Sequence, residues 1–301
     1  IFFLAVFFIG VSSNAQVKKW TLEECVLYAL ENNISIKQSQ LDLKTSDVER
    51  LEAVGNFLPA ISANANYSMN TGANINPATN QFNNETFKSF SAQANGGVTL
   101  FNGLLNWRTY QRTKLNKVAN TYRLDKMKDD IMLSVANNFL EILSLKEQLR
   151  VLQNQNRITK ENLDRTKALI DAGSLPAGDI YELRATDAGQ EQQIINAQNN
   201  LLISKVALCQ MLLLEDYVNF DIADQEFNAE LSSVLEENPQ SIFVKAKQTV
   251  NDIKVAAQDV EVAKKDVQIA KSAYLPTLSG FVGYNARWSE STPLPFSDQI
   301  Y

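Results

Sequence analysis

The stretch "GNFLPAISANANYS", Gly55 to Ser68, has a near copy far along the chain, "SAYLPTLSGFVGYN", Ser272 to Asn285, with the two prolines 217 residues apart. In each copy an aromatic residue and a Leu-Pro pair (Leu58 and Pro59, Leu275 and Pro276) close a run with helical spacing. Proline has no N–H to continue a helix and pushes the residue before it toward extended backbone, so both helices should end there. Beyond Pro59 the apolar period changes from near 3.6 to 2. Ile61, Ala63, Ala65, Tyr67 and Met69 fall on one face, and Ser62, Asn64, Asn66 and Ser68 on the other. A second alternating run spans Phe90 to Leu100, and a third follows Pro276, with only Phe281 on the wrong face.

Runs of about ten alternating residues have the length that crosses a bilayer when tilted. Their aromatic ends (Phe57, Tyr67, Phe101, Tyr284, Trp288) sit where interfacial girdles sit, and the small side chains of the apolar face are too slight for a sandwich core. The expectation is a membrane strand with Ile61, Ala63, Ala65 and Tyr67 toward lipid and Asn64, Asn66 and Ser68 toward a lumen. The region with Asn70, Asn74, Asn76, Asn80, Asn83 and Asn84 reads as an exposed polar loop between two such strands.

The chain opens with "IFFLAVFFIGV", too short to span a bilayer, followed by small residues suited to cleavage after Ala15. Residues 1–15 are read as a partial export signal lacking its initiator Met and basic region. No apolar run after it reaches transmembrane-helix length. The net charge of −6 argues against a nucleic-acid partner. Cys25 and Cys209 could pair in an oxidising compartment, but two cysteines alone fit small buried hydrophobes better.

From Leu104 to Ile170 there is neither Pro nor Gly and apolar residues keep 3/4 spacing. This predicts a helix of about 100 Å at 1.5 Å per residue. "DAGSLPAGD", Asp171 to Asp179, supplies a C-terminal glycine and a proline suited to a first turn, so the chain reverses. The return, Ala177 to Leu213, keeps a heptad-compatible register interrupted by Asp187 and Gln190. One helix from Thr21 to Ala53 should cover what the shorter return leaves unpaired. The organisation expected is a signal over 1–15, a first structural repeat over 16–213, a mixed equatorial segment over 214–237, and the start of a second repeat over 238–301.

The sequence contains no His and no phosphate-binding G-x-x-x-x-G-K-[ST] loop, which removes the usual catalytic base, most zinc sites and ATP hydrolysis. Adjacent carboxylates such as Glu23 and Glu24 diverge by about 100° on a helix and read as solvated faces. No catalytic residue, metal ligand or cofactor is expected.

The order of "WTLEECVLYALENN", "LPAISANANYS", "VTLFNGLLNWR", "AGSLPAGDIYELRA" and "LPTLSGFVGY" resembles the TolC-like outer-membrane efflux protein family over Trp20 to Tyr301. The resemblance implies a mixed α and membrane-β fold. Each chain of a homotrimer gives four strands to one twelve-stranded barrel, continued by long periplasmic coiled-coil hairpins as a tunnel. It implies a passive exit duct of a tripartite efflux or type I secretion system, docked to a periplasmic membrane-fusion adaptor and through it to an inner-membrane pump. Gly173, Ser174, Leu175, Pro176, Gly178 and Asp179 at the hairpin tip are the expected adaptor contact, because Leu175 should find nothing within its own hairpin to bury against. The alternative is a periplasmic coiled-coil scaffold without a pore, its strands forming a soluble dimerisation sheet.

Overall fold

The computed structural model describes residues 18–75, 80–224 and 237–290, together with Pro295 and Asp298; the export-signal stretch and Asn76 lie outside the described residues. The chain divides into two units, residues 1–40 with 124–247, and residues 41–123 with 248–301. No helix among the described residues is long and apolar enough to cross a membrane.

In the first unit a two-residue strand β1 (Lys19–Trp20) leads into helix α1 (Leu22–Asn32). Thr21 caps α1: its side chain accepts from the Glu24 N–H and the Glu24 carboxylate reaches back to the Thr21 N–H. That reciprocal pair satisfies two donors a helix start otherwise leaves orphaned. Helix α3 (Leu105–Asp171) is 67 residues long, as its uninterrupted spacing predicts, and contributes to both units. Helix α4 (Asp179–Leu212) returns from it. A second short strand, β4 (Asp221–Ile222), pairs parallel to β1. Between these elements Cys25, Ala29, Val135, Phe139, Ile142, Leu208, Leu212, Phe220 and Ile222 form one buried cluster, lidded by Trp20 edge-on to Tyr28.

The single helix expected from Thr21 to Ala53 is instead two, α1 and α2 (Ile34–Gly55), broken at Asn33 with ψ 133°. The cause is a tertiary bond: the Asn33 amide donates to the Met211 carbonyl at 3.1 Å while its Oδ1 accepts from the Ser35 N–H at 2.9 Å. One side chain thus anchors the break to α4 and caps the next helix. The later helical run also breaks, into α5 (Pro239–Thr249) and α6 (Asn251–Lys271) about an extended Val250 that has no side-chain cap. Asn33 and Val250 stand 217 residues apart, as do Pro59 and Pro276 and the caps Thr21 and Asn238. The repeat therefore extends from the quoted stretch to the helix borders.

In the second unit the part of α3 before Leu124 meets α2 and α6 through small and polar side chains. Ser46, Ala53, Thr113 and Ala119 are buried. Lys117 pairs with Asp47 at 2.6 Å, Arg112 with Asp266 at 2.5 Å, and Arg123 with Asp259. Exposed pairs of this kind contribute little singly and set register more than they add stability. Strands β2 (Ala60–Ile75), β3 (Phe82–Asn102) and β5 (Thr277–Ser289) form an antiparallel sheet in the order β2-β3-β5.

The strands of this sheet outrun the ten residues expected: 16, 21 and 13. Pairing of β2 with β3 continues past the alternating stretch to Ile75 and Phe82, so Asn70, Asn74, Asn83 and Asn84 are strand residues rather than loop. The backbone ladder does not require an apolar face, and Ser68 to Ser89 at 2.7 Å and Thr71 to Thr86 at 3.1 Å support it side chain to side chain.

Candidate functional site

The sheet carries two faces of opposite character, set by a register that aligns like with like across all three strands. On one face the rows are Ser62–Asn95–Gly283, Asn64–Gln93–Asn285, Asn66–Ser91–Arg287 and Ser68–Ser89–Ser289. Asn64, Asn66, Ser91, Gln93, Asn285 and Arg287 line a common concavity. On the other face the rows are Ile61–Gly96–Val282, Ala63–Ala94–Tyr284, Ala65–Ala92–Ala286 and Tyr67–Phe90–Trp288. Ile61 is 81% exposed, Val282 73% and Leu100 64%. Among the described residues no second layer covers this apolar face. A one-residue slip in β3 would swap its entire set of side chains between the faces, which makes the register the decisive feature.

Both ends of the apolar face are marked. Just beyond the aromatic row Tyr67–Phe90–Trp288, Lys88 and Glu290 pair at 3.9 Å. At the other end Phe101 pairs with Leu278, past a bulge between Thr99 and Phe101. From Phe90 to Phe101 the strand runs about 35 Å at 3.3 Å per residue.

Three strand–helix switches converge at that second end. Pro59 opens β2 one residue before Ala60, and Pro276 opens β5 one residue before Thr277. Leu58 and Leu275, which precede them, are exposed. Between β3 and α3 lie Gly103 and Leu104, both at φ +66°. Asn106 donates to the Asn56 carbonyl at 2.7 Å, and Arg108 donates to the Gln268 carbonyl at 2.6 Å and the Ser272 hydroxyl at 2.9 Å. These bonds tie the start of α3 to the ends of α2 and α6.

At the far end of α3 the chain turns by a Schellman motif. Gly173, at φ +74°, donates to the Ile170 carbonyl at 2.8 Å and Ser174 donates to the Leu169 carbonyl at 2.9 Å. That explains the glycine. Gly178 precedes α4 without a side-chain cap, and Asp179 is its first residue, favourable at the positive end of the helix dipole. Ser174, Pro176, Gly178 and Asp179 are exposed. Leu175 departs from expectation: it is half-buried, so its own chain gives it partial cover. The more exposed apolar side chain near the tip is Tyr181, at 68%. Further along the hairpin, Asn156 reaches Asp187 at 2.7 Å and Gln190 at 3.4 Å, with Asn156, Thr159 and Gln190 all buried. The two residues that interrupt the heptads thus form a polar layer that fixes the pairing of α3 and α4.

A knot of charge closes the first unit. Asp221 Oδ1 is deeply buried and receives the Lys146 and Lys205 ammonium groups at 2.9 Å each, as ion pairs rather than aligned hydrogen bonds. Lys146 also donates to the Ile222 carbonyl at 2.8 Å and to Asp224 at 3.1 Å. Burial pushes the Asp221 carboxyl up, but Lys205 and Lys146 outweigh it and hold the group below the ordinary carboxylate range. Asp224 is lowered by its bonds from Lys146 and Lys19. Burial raises the Cys25 thiol to about 12 and the Cys209 thiol to about 11. Both cysteines are free and belong to the same buried cluster. Among the described residues no group of His, Cys, Asp or Glu side chains is arranged to hold a metal. Among the described residues the features with distinct geometry are surfaces: a two-faced sheet, a long hairpin and a tip.

A family model described as outer membrane efflux protein matches residues 27–212. The outer membrane protein VceC from the bacterial pathogen Vibrio cholerae is similar with a TM-score of 0.69 at 16% identity, over 88% of this chain and 62% of that one. The CmeC outer membrane channel of Campylobacter jejuni gives 0.69 at 17% identity, over 89% and 60%. The open state of the MtrE outer membrane channel of Neisseria gonorrhoeae gives 0.60 at 14% identity, over 92% and 64%. The chain spans less than two thirds of the length of each of these channels. No curated protein matches it in sequence. At such identities the likeness is one of fold.

Proposed function

Because the chain belongs to the outer membrane efflux protein family, we propose that it is a passive exit duct, a trimer that closes one shared β-barrel and continues it as a helical tunnel. The family places the protein in the outer membrane with a periplasmic tunnel. The observation that carries the duct reading is the exposed apolar band of the β2-β3-β5 sheet, ended by Tyr67, Phe90 and Trp288 and backed by an amide-rich face. Tilted by 35–45°, its 35 Å of strand rises about 25–30 Å, the height of the apolar band on outer-membrane barrels. In this reading Ile61, Ala63, Ala65 and Tyr67 meet lipid, while Asn64, Asn66 and Ser68 meet the lumen. Among the described residues the two outer strands of the sheet each leave an unpaired edge. Hydrocarbon does not tolerate such edges, so other strands must pair with them.

The full-length protein should remain in the outer-membrane fraction until detergent is added, run as a trimer, and conduct in planar bilayers. Recovery of a non-conducting protein in the osmotic-shock fraction would replace the duct by the soluble scaffold.

Residues 16–213 then act as one structural repeat and 238–301 as the start of another, joined by an equatorial segment over 214–237. The tip residues Gly173 to Asp179 are the surface offered to a periplasmic membrane-fusion adaptor, and through it an inner-membrane pump supplies the energy. Half-burial of Leu175 leaves part of its surface for that contact, worth less than the 1.5–3 kcal/mol of a fully covered side chain. Leu175→Asp should leave the trimer and its outer-membrane level intact while reducing crosslinking to the adaptor and efflux by tenfold or more. Undiminished crosslinking at normal expression would return Leu175 to shaping the turn.

A further inference from the structure

We propose that Arg287 gives the lumen a preference for anions, so that the conduit favours carboxylate-, phosphate- or sulfonate-bearing small molecules. The inference rests on the duct reading above, in which the polar face of the sheet lines the lumen. Over the rows from Ser62 to Ser68, that face presents hydroxyls, amides and glycine from all three strands and a single ionisable side chain, Arg287. Arg287 is exposed, and among the described residues no carboxylate pairs with it. The nearby carboxylate Glu290 falls on the opposite face and pairs with Lys88 at 3.9 Å. Arg287 shares the concavity with Asn64, Asn66, Gln93 and Asn285, whose amides add neutral donors beside the charge.

Position sharpens the point. Arg287 is one residue from Trp288 of the aromatic row, so it lies inside the band rather than beyond it. On the polar side of the wall a guanidinium keeps its water, and low-dielectric surroundings focus its field. Threefold symmetry places three copies at one level, and rings of Arg or Lys are the device by which pores favour anions.

The test is the reversal potential of the purified full-length trimer in a planar bilayer under a KCl gradient. The wild type should reverse displaced toward the chloride potential, Arg287→Gln closer to zero, and Arg287→Glu on the potassium side. Gln93→Arg in the Arg287→Gln background, which restores a cation to the same face, should recover the chloride displacement. The effect should shrink near 1 M salt, where the screening length falls to about 3 Å. Conducting trimers whose reversal potential is the same in wild type, Arg287→Gln and Arg287→Glu would overturn the anion preference and leave the duct intact. A purified trimer that does not conduct would overturn the duct reading, and the preference with it.

Discussion

Ala63→Arg in the full-length protein should all but abolish the outer-membrane trimer, while Asn64→Arg, one residue away, should assemble near wild-type level. Ala63 pairs with Ala94, which pairs in turn with Tyr284, and this row lies between the aromatic row and Phe101 on the exposed apolar face. An arginine at the midplane of an outer-membrane barrel costs about 2–4 kcal/mol, falling toward zero near the interfaces. Three copies per trimer multiply that cost into a range comparable with a domain's whole stability. Asn64 pairs with Gln93, which pairs in turn with Asn285, on the amide-rich face, where a guanidinium keeps its water. The measurement is the amount of heat-dissociable trimer in outer membranes at matched synthesis. Equal levels for the two variants would remove the bilayer from the interpretation, because hydrocarbon on the apolar face must penalise the first arginine more than the second.

The two faces were legible in the sequence because a strand has an exact period of two: once Ile61 and Asn64 are assigned to opposite sides, every later residue follows. The length of α3 was legible for a similar reason, since nothing between Leu104 and Ile170 interrupts a helix. What stayed hidden depends on partners distant in the chain. The break at Asn33 exists because Met211 offers a carbonyl 178 residues away, and no local propensity encodes that. The outer part of the β2-β3 hairpin lacks alternation, so Asn70 to Ile75 carried loop signals although the backbone ladder continues there. Asp187 and Gln190 were visible as interruptions of the heptads, but their role needed Asn156 opposite them. The partial cover of Leu175 is not written in the local sequence, which shows only an apolar residue in a polar turn. Arg287 stands out in the sequence only when charges are set along the polar parity of all three runs together, where it is the one ionisable side chain over the rows from Ser62 to Ser68.

Gly103→Ala should cost the trimer about 2–5 kcal/mol per subunit, from left-handed backbone strain of 1–2 and overpacking of 1–3. Gly103 sits at φ +66° where β3 turns into α3, and a Cβ there would stand 2.5 Å from the Ser272 carbonyl oxygen and 2.8 Å from the Leu275 Cβ. Neither obstacle can swing aside. The Ser272 carbonyl accepts from the Leu275 N–H at 3.1 Å, and its side chain is held by Arg108 at 2.9 Å. The extra methyl must therefore push the β3–α3 switch away from the α6–β5 switch, and the angle at which helices continue the strands changes with it. Gly55 supplies the control: it ends α2 near the same junction, and a Cβ there meets nothing within 4 Å. Gly55→Ala should be neutral or stabilise by up to about 1 kcal/mol, since alanine loses less freedom in a helix. Heating detergent-solubilised trimers and following their dissociation compares the two directly. Dissociation of Gly103→Ala at the wild-type temperature would mean that the switches are not locked against each other, and that the strand-to-helix angle is set elsewhere in the subunit.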